Sequence, residues 1–354
     1  MNQSNETFRY PSVRVAVTEN CNLRCEYCPS DGDSVEMQSN ALETEGFKQI
    51  LKEAVEVGFT DFSFTGGEPL LTPQTAQRTF DLADFVNELR DDESGGYTKL
   101  NTNGAHLLRY QDEIVTTGFT ELKVSLDTLD PATFRSLAKR GEKVFQDTVD
   151  GIMALKDEVP IRLQTVVGKY NIDQIPDMID FCAENNIDIK LFDISRYDNA
   201  LSGSAAFAND NYISLEAIST ALEYRYGTAE IKYAVGGYGH PKKVFTTSSG
   251  TKIEIRDTSP SAHYSSELCQ SCPNYQCQDG LCNLVIAADG HIRFCREGGV
   301  DQTIPSHDTD GALMTPQAIR LNLAKAAGIF SAAQNVEHHG ALKSSRLHLP
   351  LSVL

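Results

Sequence analysis

The sequence predicts an α/β protein: a partial (β/α)6 TIM-type barrel followed by a small C-terminal domain. Strand-like and helix-like stretches alternate through the first two hundred residues, and this regular pattern stops after Ile194. Repeated βα units give parallel strands joined by right-handed crossovers. A closed barrel of this type needs eight units, so the six units found here predict an open barrel.

Six short apolar runs are the strand candidates, and five amphipathic stretches between them are the helix candidates. Thr72 before Pro73 predicts an N-cap with proline at the first helical position. Asn171 predicts a similar helix start. The expected strands are Val13–Thr18, Asp61–Thr65, Thr98–Asn101, Glu121–Leu126, Ile161–Val167 and Ile187–Ile194. The expected helices are Glu43–Val57, Pro73–Leu89, Leu107–Thr116, Val144–Lys156 and Asp173–Asn185.

The pattern changes after the barrel. Residues 197–212 are rich in Ser, Ala, Asn and Gly and predict a connecting loop, followed by a helix at Ile213–Arg225 and a strand at Lys252–Arg256. An Asp-Gly pair at 289–290 predicts a β-hairpin, and Pro316–Gln334 predicts a last helix. The expected division is a flexible N-terminal segment (1–12), the barrel (13–196), a connecting region with a helix and a hairpin (197–268) and a C-terminal domain (269–354).

Composition narrows the classes of function. Of the 354 residues, 40% are hydrophobic and 23% are charged, which is typical of a globular protein. The net charge of −18 argues against a nucleic-acid partner, because phosphate binding uses surfaces rich in Lys and Arg. No apolar run approaches the ~20 residues that span a bilayer. Met1–Tyr10 is polar, unlike a secretory signal, so we expect a cytoplasmic protein with no membrane partner.

Three cysteines, Cys21, Cys25 and Cys28, lie directly after the first predicted strand. Three thiolates on one loop can bind three irons of a 4Fe–4S cluster and leave the fourth iron open for chemistry. The alternative is a structural zinc site, which needs four protein ligands. No His or further Cys lies within thirty residues after Cys28, so the sequence favours the iron–sulfur cluster.

Polar turns follow the next three predicted strands. Gly66-Gly67-Glu68-Pro69 comes after the second, Asn101–Gly104 ends the third, and Val124–Asp127 ends the fourth. Active sites of such sheets lie at the carboxyl ends of the strands, so these turns should lie near the cysteine loop. Each can also be an ordinary strand-to-helix turn, because Asn, Ser and Asp favour such positions.

These motifs together resemble the radical S-adenosylmethionine (SAM) superfamily, whose signatures are CxxxCxxC and a GGEP turn. The resemblance implies that S-adenosylmethionine chelates the open iron and that flavodoxin or ferredoxin supplies one electron to the cluster. It also implies reductive cleavage of S-adenosylmethionine to a 5′-deoxyadenosyl radical, which removes a hydrogen atom from the substrate. The residues implied in cofactor binding are Tyr27, Gly66, Gly67, Glu68, Pro69, Thr102, Asn103, Ser125 and Asp127.

Within that superfamily, the sequence from Pro11 to Ile194 is most similar to the GTP 3′,8-cyclase family of the molybdopterin pathway. Shared segments include Val124–Phe134 and Arg140–Phe145. Two departures imply a substrate other than GTP. Those cyclases end in a Gly-Gly tail, whereas this sequence ends at Leu354. They also carry arginines directly after a cluster cysteine, where this sequence has Asn283–Ile286.

Five further cysteines predict a second metal centre in the C-terminal domain. By similarity to related enzymes with a short auxiliary-cluster domain, Cys269, Cys272, Cys277 and Cys295 bind a second 4Fe–4S cluster, which leaves Cys282 spare. The other assignment uses Cys282 in place of Cys277, and a structural zinc ribbon is a further alternative. A spare thiol can donate a hydrogen atom to a carbon radical, so Cys282 is the candidate catalytic residue. It can also be a small buried apolar side chain.

The function expected from the resemblance is a radical SAM oxidoreductase or lyase in the biosynthesis of a cofactor or natural product. Its expected substrate is a nucleoside, nucleotide or aminosugar, and its reaction a dehydrogenation, epimerisation or cyclisation. The alternatives are a maturase of a ribosomally made peptide and a non-catalytic iron–sulfur protein for electron transfer or sensing. Six cations could meet a substrate, although a solvated surface position is the simpler interpretation for each. They are Arg162, Lys190, Arg196, Arg256, Arg293 and Arg296.

Overall fold

Six parallel strands form the centre of the protein, and helices connect them. The computed structural model describes residues 10–28, 41–90, 95–195, 204–232, 242–256, 281–295 and 303–334. Each of these central strands pairs in parallel with the next along the chain. They are β1 (Ser12–Ala16), β2 (Phe62–Thr65), β3 (Thr98–Thr102), β4 (Glu121–Ser125), β5 (Ile161–Val167) and β6 (Asp188–Asp193). The predicted partial barrel is confirmed.

The helices between these strands begin and end close to the predicted positions, with one addition. Thr72 caps α2 as expected, since its hydroxyl accepts the N–H of Thr75. The addition is α4, whose eight residues are too few to show a helical period in the sequence. The helices are α1 (Thr44–Val57), α2 (Pro73–Leu89), α3 (Gln111–Thr117), α4 (Pro131–Ala138), α5 (Glu142–Leu155) and α6 (Ile175–Glu184).

Further strands extend both edges of the same sheet. Next to β6 lie three strands, of which β9 is parallel to β6 and matches the prediction. They are β7 (Glu230–Lys232), β8 (Lys242–Thr246) and β9 (Lys252–Arg256). Next to β1 lies β10, parallel to it, and the predicted hairpin is confirmed by β10 and β11. These strands are β10 (Asn283–Ile286), β11 (Ile292–Arg293) and β12 (Thr303–Ile304). The full order is β12-β11-β10-β1-β2-β3-β4-β5-β6-β9-β8-β7.

Three helices lie outside the central βα units. They are α7 (Ser204–Asn211), α8 (Glu216–Tyr226) and α9 (Pro316–Gln334). The loop predicted over 197–212 was wrong where α7 stands, because its alanines favour a helix despite the surrounding Ser and Asn. The C-terminal helix α9 packs against α1. There Arg320 Nε donates to Glu53 Oε2 at 2.5 Å. Among the helices that the structure describes, none could span a membrane.

Side chains of the central strands alternate between two faces. Val13 and Val15 are fully buried and stand in register with the buried Phe62 and Phe64, so this face packs against the helices. Arg14 lies between the two valines and points to the opposite face. We call that opposite face, on the inside of the partial barrel, the lumen.

Candidate active site

The turn after β2 packs directly against the cysteine loop after β1. The N–H of Gly67 donates to Thr18 O at 2.7 Å, and that of Glu68 donates to Asn20 O at 2.8 Å. A Cβ on Gly66 would lie 2.2 Å from Thr18 O, and one on Gly67 would lie 2.1 Å from Asn20 O. Both positions therefore require glycine, because any side chain would push the two segments apart.

Glu68 is completely buried at the centre of this turn. Its Oε1 accepts from Thr102 Oγ1 at 2.8 Å and from the N–H of Leu70 at 2.9 Å. Its Oε2 accepts from the N–H of Asn103 at 2.7 Å. Burial raises the pKa of Glu68 to about 7 in spite of these donors. A carboxylate has about four acceptor positions, and the described residues use three, so Glu68 can accept one more hydrogen bond.

The three N-terminal thiols lie close enough to influence one another. Burial raises the pKa of the Cys25 thiol well above its ordinary value, and the charges of Asp127, Cys28 and Cys21 add to the effect. Cys21 Sγ accepts from the N–H of Leu23 at 3.4 Å. No three His, Cys, Asp or Glu side chains in the described ranges are grouped to hold a single metal ion. A 4Fe–4S cluster does not require its ligands to gather around a single ion, because each thiolate binds a different iron.

The turn after β3 joins this arrangement through Asn103. The Asn103 side-chain amide donates to Asn22 Oδ1 at 2.7 Å and faces Cys21 Sγ at 3.7 Å. The cysteine loop therefore contacts the turn after β2 through backbone and the turn after β3 through this side chain. This combination of three thiols, a buried carboxylate and a polar amide fits an iron–sulfur cluster with an amine- and carboxylate-bearing ligand.

Tyr27 and Asp127 form a second buried pair beside Cys25. The Tyr27 hydroxyl donates to Asp127 Oδ2, and Asp127 Oδ1 accepts the N–H of Val166 at 2.8 Å. Burial raises the pKa of Asp127 to about 6. At the end of β4, Ser125 is exposed and stands in register with Gln164 on the lumen face. The predicted residues Tyr27, Ser125 and Asp127 thus lie at the same end of the sheet as the thiols.

Comparison with known proteins identifies this arrangement. The family model "Radical SAM superfamily" matches residues 15–182, which include the cysteine loop, the GGEP turn and the ends of β3 and β4. Residues 15–182 form a radical SAM domain. A 4Fe–4S cluster and S-adenosylmethionine are the cofactors expected of such a domain.

With several relatives, the sequence similarity extends beyond residues 15–182. The chain is 30% identical over 210 residues to a GTP 3′,8-cyclase of Peptoclostridium acidaminophilum, covering 58% of this chain and 61% of the relative. It is 24% identical over 318 residues to a GTP 3′,8-cyclase of Petrotoga mobilis, covering 89% and 88%. Molybdenum cofactor biosynthesis protein 1 of Dictyostelium discoideum is 27% identical over 336 residues, covering 91% and 49%. The chain thus spans less than two thirds of the first and third relatives.

Solved structures share the fold of this protein. Streptococcus suis SuiB bound to S-adenosylmethionine has a TM-score of 0.53 and 16% identity, covering 81% of this chain and 60% of SuiB. Native anSMEcpe with bound AdoMet has a TM-score of 0.54 and 14% identity, covering 83% of this chain and 77% of that protein. At these identities the likeness concerns the fold alone.

The cysteines of the predicted second cluster are only partly described. Cys269, Cys272 and Cys277 lie outside the described residues. Cys282 directly precedes β10 and Cys295 follows β11, and because these strands are antiparallel, both cysteines lie at the same end of the hairpin. β10 is parallel to β1 in a register that pairs Ser12 with Asn283. Cys282 therefore lies at the amino end of the sheet, opposite the N-terminal cysteine loop.

The partial barrel and the strands that extend it also carry lumen cations that sequence reasoning missed or assigned to the surface. Strand registers place Arg162 beside Lys123, Lys190 beside Glu254, and Arg256 beside Phe192, all on the lumen face. The expectation of a solvated surface position was wrong for Arg162, Lys190 and Arg256. Arg293 on β11 is partly buried and stands in register with Val285, so it also lies on the lumen face. Arg196 and Arg296 lie outside the described residues. Sequence reasoning did not name these further lumen cations: Arg14, Lys99, Lys123, Lys242 and Lys252.

Part of this charge is balanced at the amino end of the lumen. Arg162 contacts Glu121 Oε1 at 2.6 Å and Glu254 Oε1 at 2.8 Å. Lys242 contacts the other oxygen of Glu254 at 3.0 Å. These cations lower the pKa of Glu254 to about 2 although burial opposes them. The network therefore keeps Glu254 ionised. Lys99 contacts the other oxygen of Glu121 at 2.9 Å, so among the described residues the partly buried lumen lysines that have no carboxylate within salt-bridge distance are Lys123 and Lys190.

Proposed function

We propose that this radical SAM enzyme acts on a small anionic metabolite, such as a nucleotide or phosphorylated sugar, and removes a hydrogen atom from one of its C–H bonds. The observation that carries the proposal is the excess of cations in the lumen. Strands β1–β6, β8, β9 and β11 bring nine Lys and Arg side chains and three acids to that face, in a chain of net charge −18. The acids are Glu121, Asp188 and Glu254.

Two of the lumen lysines support an anion site most directly. In the described part of the chain, neither Lys123 nor Lys190 has a carboxylate within salt-bridge distance, and Lys190 lies over the Phe192 ring at 4.5 Å. Burial lowers the pKa of Lys123 to about 7, and the nearby cations Lys99, Arg162 and Arg14 contribute. A bound phosphate would replace lost hydration and neutralise this repulsion.

The carboxyl ends of the strands supply the other half of the site. A reduced 4Fe–4S cluster with S-adenosylmethionine supplies one-electron cleavage of a C–S bond and hydrogen-atom abstraction. Cys21, Cys25 and Cys28 would hold the cluster. Glu68, with its free acceptor position, would receive an N–H of the methionyl amine. Tyr27 would face the same ligand, held by its hydrogen bond to Asp127.

The lumen face of β10 supports a substrate other than GTP. It presents Asn283 and Val285, in register with Ser12 and Arg14, and carries no cation within its described span. Ser12 donates a hydrogen bond to Asn283 Oδ1, which occupies that side chain within the protein. A triphosphate carries more charge than a single phosphate or carboxylate and needs more cations around it. We therefore propose an anion smaller than a triphosphate.

We also propose that Cys282 binds the second cluster rather than donating a hydrogen atom. Two facts support this: Cys282 and Cys295 lie at one end of the hairpin, and that end is opposite the N-terminal cysteines. Four strand residues from Ser12 onward span ~13 Å at ~3.3 Å each. A thiol that far from the site of hydrogen abstraction is poorly placed to reach the same carbon atom.

The substrate class can be tested by binding. Pairs of metabolites that differ by one phosphate, for example a nucleoside and its 5′-monophosphate, are titrated into the reconstituted protein in the presence of S-adenosylmethionine. We expect binding of the phosphorylated member of some pair, weakened about tenfold or more by Lys190→Ala. Lys325→Ala, on the exposed face of α9, is the matched control. Equal binding of the neutral member, or no effect of Lys190→Ala, would contradict the proposal.

Iron content tests the second cluster. The wild type should bind about eight irons after anaerobic reconstitution, and Cys282→Ser should lower this to about four. Cys182→Ser serves as the control, because that thiol is buried on α6 and belongs to neither cysteine group in the sequence. An unchanged iron count in Cys282→Ser would restore its assignment as a spare thiol.

A further inference from the structure

We propose that an exposed basic surface beside the cysteine loop binds an acidic one-electron carrier protein of the flavodoxin type. We call this surface the basic corner. It consists of Arg24 on the cysteine loop and four side chains in the segment from the end of α4 to the start of α5. These four are Arg135, Lys139, Arg140 and Lys143. The inference rests on the proposed function, since only a redox cluster behind this surface needs an electron carrier.

The basic corner is attached to the cysteine loop itself. The N–H of Arg24 donates to Ala138 O at 3.0 Å, and that of Glu26 donates to Leu137 O at 3.1 Å. The Arg140 guanidinium donates to the backbone carbonyl of Asn22, the residue after Cys21. The end of α4 thus forms the outer wall of the loop that carries the three thiols. A protein bound there would approach the cluster closely, and electron transfer slows steeply with distance.

Exposure and charge make this surface suitable for an acidic partner. Arg24, Arg135, Lys139 and Lys143 are exposed. The chain as a whole has 49 acids and 31 Lys and Arg, whereas residues 135–143 hold four Lys and Arg and one acid. A negatively charged protein would be attracted to this basic surface, because the rest of the chain is acidic and repels it.

Ion pairs within the protein neutralise only some side chains of the basic corner. Lys139 pairs with Glu26, and Lys143 pairs with Asp147 at 3.0 Å, with 85% of the Lys143 side chain exposed. Within the described ranges, Arg24 and Arg135 form no salt bridge. An exposed pair such as Lys143–Asp147 is weak, so an incoming carboxylate can replace Asp147 at low cost.

The electron balance of the proposed contact is simple. One electron leaves the reduced flavin of the carrier and enters the oxidised cluster, and no covalent bond forms or breaks. A carrier reduced beforehand is the only co-reactant, and the basic corner contributes binding and orientation.

The test compares two charge-reversed variants that carry the same change in net charge. Arg135→Glu with Lys143→Glu alters the basic corner. Lys52→Glu with Lys325→Glu alters exposed positions on α1 and α9, away from the cysteine loop. The binding of oxidised flavodoxin to each reconstituted protein is measured by calorimetry at about 0.1 M and about 1 M salt. The rate of cluster reduction by reduced flavodoxin is then followed from the loss of visible absorbance.

We expect the variant in the basic corner to bind flavodoxin about tenfold more weakly than the wild type at about 0.1 M salt, with a smaller difference at about 1 M. Cluster reduction by flavodoxin should slow in parallel, whereas cleavage of S-adenosylmethionine driven by dithionite should stay unchanged. The α1 and α9 variant should bind like the wild type. The double variant Arg135→Gln, Lys143→Gln removes the two charges without reversing them. Its affinity for flavodoxin should lie between those of the two charge-reversed proteins, and it serves as a check that charge reversal has not caused a folding defect.

Two results would overturn the docking surface. One is wild-type affinity for flavodoxin in the Arg135→Glu, Lys143→Glu protein while dithionite still drives cleavage. The other is displacement of flavodoxin by a short DNA duplex that binds the same residues more tightly. Failure of the proposed function looks different, because the wild type would then cleave no S-adenosylmethionine even with dithionite.

Discussion

The backbone N–H of Asn103 donates to Glu68 Oε2 at 2.7 Å, although 35 residues separate them in the sequence. This bond joins the turn after β2 to the turn after β3. Asn103 in turn contacts the cysteine loop through its side chain, so Glu68 and Asn103 together connect three loops at the carboxyl ends of three strands.

Glu68 should make the binding of S-adenosylmethionine dependent on pH. Its pKa of about 7 means that the accepting carboxylate predominates only above that pH. Ionisation rises about tenfold between pH 6 and pH 8, so affinity for S-adenosylmethionine should be correspondingly higher at pH 8. Equilibrium dialysis with the oxidised, cluster-loaded protein measures this without turnover.

Glu68→Gln is the variant that isolates this effect. It keeps the size of the side chain and removes its charge, so binding at pH 8 should weaken about tenfold and the slope with pH should flatten. Glu45→Gln, an exposed change in the first turn of α1, should leave both unchanged. A slope in Glu68→Gln as steep as that of the wild type would assign the titration to another group.

Gly67→Ala should prevent assembly of the cluster. Its new Cβ would meet Asn20 O at 2.1 Å, so the turn and the cysteine loop could not remain in contact. We expect less than about half the iron of the wild type after reconstitution, since ligand loops must be held in place to bind metal. Gly141→Ala is the control, because its Cβ meets nothing within 4 Å and its φ is −76°. Similar iron contents in the two variants would refute the close contact.

Asp127→Ala should destabilise the protein by about 2–6 kcal/mol. The substitution leaves the Tyr27 hydroxyl and the Val166 N–H buried without an acceptor, and each such group costs ~1–3 kcal/mol. Asp130 is an exposed N-cap of α4 whose side chain accepts from the Thr133 N–H. Asp130→Ala removes only this cap, so it should lower the free energy of unfolding by about 1 kcal/mol. Urea unfolding of the cluster-free proteins compares them. Equal losses would show that the buried pair contributes no more than a surface cap.

Lys123 should give the binding of an anionic substrate the opposite dependence on pH. Its pKa of about 7 means that the ammonium predominates below that pH. Its charged fraction falls about tenfold from pH 6 to pH 8, so the affinity for a phosphorylated metabolite should fall as pH rises. Lys123→Arg, always charged, should remove the dependence, while Lys123→Met should weaken binding at both pH values. An affinity that rises with pH in the wild type would contradict this role.

The sequence predicted the carboxyl-end site well because each motif directly follows a strand. Parallel strands bring their carboxyl ends together, so Cys25, Glu68, Asn103 and Asp127 could be assigned to one place without coordinates. Their individual contacts were not predictable. The bond from Tyr27 to Asp127, for example, depends on how the cysteine loop folds back over the end of β4.

The lumen and the basic corner were harder to predict for two different reasons. In an alternating strand, Arg14 or Lys123 has the pattern of a side chain facing solvent, and only closure of the barrel turns that face inward. α4 is short, so its helical period was hidden, and with it the position of Arg135 beside the cysteine loop. Strand β7 was missed because a three-residue edge strand carries little pattern. Strand β8 was missed because its buried residues, Val244 and Phe245, are adjacent and do not alternate.

The most direct test of the central claim is the formation of 5′-deoxyadenosine by the anaerobically reconstituted protein. With dithionite and S-adenosylmethionine, the wild type should release 5′-deoxyadenosine and methionine in equal amounts, and Cys25→Ala should release neither. The same nucleoside product from Cys25→Ala, or zinc without cluster absorbance in the wild type, would contradict the account.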